Sequence, residues 1–136
     1  MKDFTGSETR RDIINFVRMC SVGAFFVYPA WAILYQSVLP FQVDDPFWER
    51  LIVGFYSLCI FSFTLIPRLM PYMLPATYSA IYISVAHLYW LTYRNGVHPG
   101  YQMGILTIIS AIAPYFFSLG SMFAFMSFVV LLSLGM

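Results

Sequence analysis

The sequence predicts an all-α, polytopic transmembrane helical bundle, and three observations predict it. The chain is 60% hydrophobic and only 10% charged over 136 residues, whereas soluble domains carry about a quarter charged residues. Its charges fall in short clusters, leaving long stretches with none. Aromatic residues reach 20%, more than anchoring at a lipid interface alone would use. Such a chain lacks the polar residues to coat a water-soluble globule and is too apolar to stay disordered. Soluble enzymes and disordered chains are thereby excluded. A net charge of +1 leaves no nucleic-acid signature.

Residues 1–18 read as a polar cytoplasmic segment, with Lys2, Arg10, Arg11 and Arg18 set against Asp3, Glu8 and Asp12. Thr9-Arg10-Arg11-Asp12 fits a capping box ahead of an apolar run, so it predicts a helix start. From Met19 to Val43 no residue is charged, and the first span is expected near 16–39. That run is too long for the core of a secretory signal, and no A-x-A site follows it, so it stays in the membrane. Pro29 lies inside it. A proline there predicts a kink and frees the carbonyl four residues earlier, on Phe25. A neighbouring helix must then satisfy that group.

Asp44-Asp45-Pro46, with Glu49 following, predicts the start of a second span near 47–67, and Phe47 and Trp48 suit the interface. Pro67, Arg68, Pro71 and Pro75 form a stiff connection, with Pro75 in the first turn of a third span near 74–93. Arg94-Asn95-Gly96-Val97-His98-Pro99-Gly100 is the clearest turn in the chain. After Arg94 no residue is charged. As one helix that stretch would be about 63 Å long, roughly twice the hydrocarbon thickness. Pro114 and Ser118-Leu119-Gly120-Ser121 offer the break, giving spans near 101–117 and 121–136.

The N-terminal segment holds four of the seven basic residues, which places it in the cytoplasm. Five spans then leave the C-terminus outside. A sixth span is expected downstream, and the chain reads as the membrane portion of a longer protein. The membrane domain therefore covers 19–136.

Cys20 and Cys59 sit in apolar runs without any ligand spacing, so they read as buried small hydrophobes, and neither metal nor cofactor is implied. After Arg18 the apolar cores of the predicted spans hold no Asp, Glu, Lys or Arg, which argues against ion-coupled transport. Only His87 could titrate at membrane depth. The plainer reading is a neutral imidazole bonded to a neighbouring helix; the sharper one is a contact with a small ketone or hydroxyl. Haem ligation would want a second histidine at that depth, and there is none.

Tyr78, Tyr82, Val85 and Tyr89 share one face of the third helix, with Ile83, His87, Trp90 and Arg94 on the next. Tyrosine hydroxyls need partners in lipid, so this helix should face the bundle interior. Tyr101, Gly104, Thr107 and Ser110 line one side of the fourth helix. Gly100 and Gly104 make a G-x-x-x-G, read most plainly as close helix packing. Pro114 would free the Ser110 carbonyl beside Thr107, giving a polar patch in an apolar cleft. His87, Trp90, Tyr101, Thr107 and Ser110 are thus the candidate ligand-binding residues. No nucleophile–base pair, H-E-x-x-H, phosphate-cradling glycine loop or paired carboxylate is present, so no residue is assigned a catalytic role.

Gly23, Tyr28-Pro29, Tyr35, Pro40, Pro46, Arg50-Leu51, Leu74-Pro75-Ala76-x-Tyr78, Tyr89-x-Leu91, Asn95 and Ser110-Ala111-Ile112 run in order through nearly the whole chain. In this pattern the chain resembles the membrane sensor domains of α-hydroxyketone quorum-sensing histidine kinases (CqsS type). The resemblance implies a six-span sensory input domain in the bacterial inner membrane, working as a homodimer ahead of a histidine kinase. It implies a small amphiphilic ligand with an oxygenated head, lodged among the later helices. An aromatic and a small hydroxyl residue in the fourth span would set its selectivity, and the nearest positions are Tyr101 and Thr107. The aromatic here is Tyr rather than Trp, and no kinase motif is present. Related modules feed a diguanylate or adenylate cyclase instead. Two other classes fit the residues alone: a structural or assembly subunit of a membrane complex, and a small facilitative carrier.

Overall fold

The computed structural model describes residues 7–39, 44–112 and 119–135. Every regular element among them is helical. Helix α1 runs Ser7–Val38, α2 Phe47–Phe63, α3 Met73–Arg94, α4 Pro99–Ile112 and α5 Leu119–Leu134, with a 3-10 turn Met70–Tyr72 leading into α3. The all-α class is therefore as expected, and the helices sit close to the predicted spans. Helix α1 is already formed at Ser7, ahead of the predicted start at Thr9. Glu8, Arg10 and Arg11 are good helix formers and let the helix grow backward. The break predicted at Pro114 lies outside the described residues, but of the turn predicted at Ser118-Leu119-Gly120-Ser121 the last three residues are already helical, in α5.

Segment Arg10–Val38 is long and apolar enough to cross a membrane, and Gly120–Leu134 is a shorter apolar helix. Cys20 and Cys59 are both free and exposed, not buried as their apolar surroundings suggested. They lie on helix faces that also expose Val27 and Phe55, so an apolar run here does not mean an inward one.

The chain divides into two compact units. The first combines the described residues of Met1–Leu34 with Pro46–Ala80. Its core is Val17 of α1, Ile60 of α2, and Met73 and Ala80 of α3, flanked by Ile13, Phe16, Phe63 and Leu74. Helix α1 continues through Pro29, whose ring denies the Phe25 carbonyl its usual donor. Gly54 of α2 lies against that spot. A Cβ on it would come within 3.2 Å of the Phe25 carbonyl oxygen and 3.4 Å of Pro29 Cδ. The absence of a side chain is what lets the two helix backbones approach. Near the start of α2, Arg50 is 1% exposed, with its guanidinium 5.1 Å from the centre of the Tyr28 ring. Such a cation–π contact recovers part of the cost of desolvating the charge.

The second unit combines the described residues of Tyr35–Asp45 and Ile81–Met136. Val85, Leu88 and Leu91 of α3, Tyr101 and Ile105 of α4, and Phe125 and Val129 of α5 are buried. Tyr82 sets its ring edge-on to Phe125 and Phe128, at 5.6 and 4.8 Å. Tyr89 shares a 2.8 Å hydrogen bond with Ser133. Tyr82 and Tyr89 therefore do face neighbouring helices, as the tyrosine stripe predicted.

Between α3 and α4 the predicted turn has a specific form. Val97 N–H donates to the Thr92 carbonyl and Gly96 N–H to the Tyr93 carbonyl, the paired bonds of a Schellman cap with glycine at its left-handed position. Gly96 has φ 64°, and Val97 follows at φ 57°, where a β-branched side chain is strained. His98 then caps α4. Its Nδ1 accepts from the Gly100 N–H at 3.1 Å, and Pro99 occupies the first helical position, where no donor is missed.

Candidate functional site

The polar chemistry of the second unit gathers where the last turn of α1, the segment Asp44–Asp45, the end of α3 and the start of α4 meet. Arg94 ends α3 and donates to Asp44 Oδ2 through Nε at 2.9 Å and Nη2 at 2.6 Å. Asn95, the next residue, behaves like a piece of backbone. Its Oδ1 accepts from the Asp44 N–H at 2.8 Å, and its Nδ2 donates to the Asp44 and Leu91 carbonyls at 3.1 and 2.8 Å. Gln36 donates to the Asp45 carbonyl at 2.9 Å. An otherwise irregular segment thus has its peptide groups paired by side chains.

Beneath this clasp lies a buried carboxylate. Asp45 is 1% exposed and Tyr101 0%, and the Tyr101 hydroxyl donates to Asp45 Oδ2 at 2.9 Å. Tyr35 stacks its ring on that of Tyr101, 4.6 Å between centres, and donates its hydroxyl to the Gly100 carbonyl at 3.2 Å. Its oxygen occupies the place a Cβ would take on Gly104. Gly100 and Gly104 do mark a close approach, as their spacing predicted, but side chains enter rather than a helix backbone: Leu39 at Gly100 and the Tyr35 hydroxyl at Gly104. No buried side-chain nitrogen or oxygen among the described residues lacks a partner.

Of the five predicted site residues, Tyr101 lies in this cluster. His87 is half-buried on α3 and has an interaction partner. Trp90 is 53% exposed and packs within its own helix, against the Tyr93 ring at 6.3 Å and the Arg94 guanidinium at 5.8 Å. It belongs to the outer face of α3. The side chains of Thr107 and Ser110 lie outside the described residues.

Asp45, Tyr35 and Asn95 were missed as site residues. Tyr35 and Asn95 appear among the residues that carry the resemblance, which was their available signal. Asp45 reads locally as part of a helix start, and nothing near it points to Tyr101. Among the described residues no group of three His, Cys, Asp or Glu side chains could hold a metal ion.

No family model, curated protein or solved structure matches the chain. The functional reading therefore stands on its residues.

Proposed function

We infer that this chain is a polytopic, membrane-embedded sensory input domain that detects a small amphiphile and relays a helix shift to a cytoplasmic effector. One observation carries the membrane placement. Large apolar side chains face outward, with Met19 74%, Phe26 66%, Phe123 65% and Leu131 69% exposed, while Asp45, Arg50 and Thr92 are at most 1% exposed. Water would penalise every one of those outward groups, at roughly 25 cal/mol per Å², whereas hydrocarbon accepts them and favours inward polar groups. This and the basic N-terminal segment support a reading of five spans in the inner membrane with a cytoplasmic N-terminus.

The sensory role is supported by the resemblance to α-hydroxyketone receptor domains. Its residues Tyr28, Tyr35, Arg50 and Asn95 are ones that make polar or ring contacts here. The Tyr101–Asp45 hydrogen bond provides a place for a ligand to act. A ligand ketone accepting from the Tyr101 hydroxyl would replace that bond with a bond to itself. It would thereby favour the bundle packing in which the two residues are apart, shifting the population of states.

A second reading, a structural subunit, is favoured by how completely the same cluster is satisfied without any ligand. Titrating a saturated alkyl α-hydroxyketone into the chain in neutral detergent separates the two. A sensor gives saturable binding that Tyr101→Phe weakens about tenfold, close to the value of one hydrogen bond, and that Thr107→Phe also weakens. Absence of saturable binding, or identical uptake of the matching alkane, sinks the sensory reading. Extraction of the chain from membranes by alkaline carbonate would sink the membrane placement.

A further inference from the structure

The first unit holds a cluster that the sensory reading does not use. Arg10, Arg11, Ile14, Asn15 and Arg18 follow one another at helical spacing, so they share one face of α1. That face and the segment from Thr64 to Met70 line an open recess of about 560 Å³. Its lining contains three guanidinium groups and no carboxylate. Arg18 is committed. Its Nε donates to Thr64 Oγ1 at 2.9 Å and its Nη2 to the Thr64 carbonyl at 3.2 Å, where the C-terminus of α2 welcomes a cation.

The other two arginines are placed differently. Arg10 donates to Met70 Sδ at 3.1 Å, and a thioether is a weak acceptor for a charged donor. Arg11 is exposed, with no ion pair or hydrogen bond among the described residues. Two forks of N–H donors therefore border a recess of ligand size whose described walls offer them little to bind. Planar guanidinium groups match the oxygens of a phosphate in paired hydrogen bonds, more closely than those of other common anions except carboxylates.

We propose that this recess is a phosphate-binding site, with Arg10 and Arg11 as the ligating residues and Arg18 holding its floor. The phosphate belongs either to the headgroup of an anionic phospholipid or to a free phosphate species. The lipid source rests on the membrane placement argued above. There the recess lies at the cytoplasmic end of the first span, at headgroup depth, where basic pockets between helices bind anionic lipids.

The test uses the full chain in neutral detergent, with three probes compared by calorimetry: short-chain phosphatidylglycerol, the diacylglycerol of the same chains, and sodium phosphate at matched ionic strength. Saturable binding of phosphatidylglycerol but not of diacylglycerol, with sodium phosphate inert, identifies a lipid site. Binding of sodium phosphate identifies a free phosphate site, and this arm reads the recess whether or not the chain enters membranes. In either case R10Q/R11Q should weaken binding at least about tenfold, and R68Q, at an exposed arginine outside the lining, should leave it unchanged. Arg11→Gln alone covers the case in which the double variant does not fold, since that side chain supports no described contact; it should cost several-fold. Equal binding by wild type and R10Q/R11Q, equal loss in R68Q, or no binding of either phosphate probe overturns the proposal.

Discussion

In the first unit two helices meet because a side chain is missing, whereas in the second a glycine leaves a socket that a polar side chain fills. Gly54 brings the α2 backbone against Phe25 and Pro29, a contact of dispersion forces that has no preferred direction. Gly104 instead receives the Tyr35 hydroxyl, which then bonds to Gly100 while its ring rests on Tyr101. The same residue type serves two purposes. A backbone contact tolerates small sliding of one helix on another. A hydrogen-bonded socket either holds or is lost, and it is the better place for a ligand to change a state.

The sharpest way to break this contrast is Gly104→Ala, which forces the Tyr35 hydroxyl out of its place. Loss of its hydrogen bond and disturbance of the ring stack should cost about 2–3 kcal/mol, measured by denaturant unfolding in mixed micelles. Tyr35→Phe in the same chain should recover at least about 1 kcal/mol, because the colliding oxygen is gone. Additive effects would refute the socket.

Tyr101→Phe should come next, at about 1.5–2 kcal/mol, since it removes a donor from a buried carboxylate. Its effect should shrink but not vanish when Asp45 is already asparagine, whose amide oxygen still accepts from the hydroxyl. Gly54→Ala is expected to cost about 1 kcal/mol, less than Gly104→Ala because the neighbours need give only a few tenths of an ångström. A larger loss than at Gly104 would invert the comparison. The smallest effect should have the opposite sign. Val97→Gly relieves a left-handed valine at φ 57° and should stabilise by up to about 1 kcal/mol, the strain relieved being partly offset by the greater freedom of glycine in the unfolded chain.

Local signals predicted the local features well. Clustered charges and prolines located five helices, the proline rule named Phe25 as the residue with a freed carbonyl, and the glycine pair on α4 marked a close approach. The site was harder to foresee. Tyr101 is paired with Asp45 across 56 positions, and helical periodicity carries no information about partners at that distance. Trp90 shared a predicted face with His87, yet α3 exposes its ring on the outside, where it packs against Tyr93 and Arg94 of its own helix. Asn95 looked like a turn residue and is one, but its side chain also substitutes for backbone pairing at Asp44.

Helix α1 runs unbroken for 32 residues, which is about 48 Å of rod for an oily layer of roughly 30 Å. No modest tilt conceals the surplus. On the membrane placement proposed above, its opening turns stand clear of the lipid as a handle, and whatever grips that handle from the watery side pulls on a shaft whose proline, Pro29, lies beyond its middle.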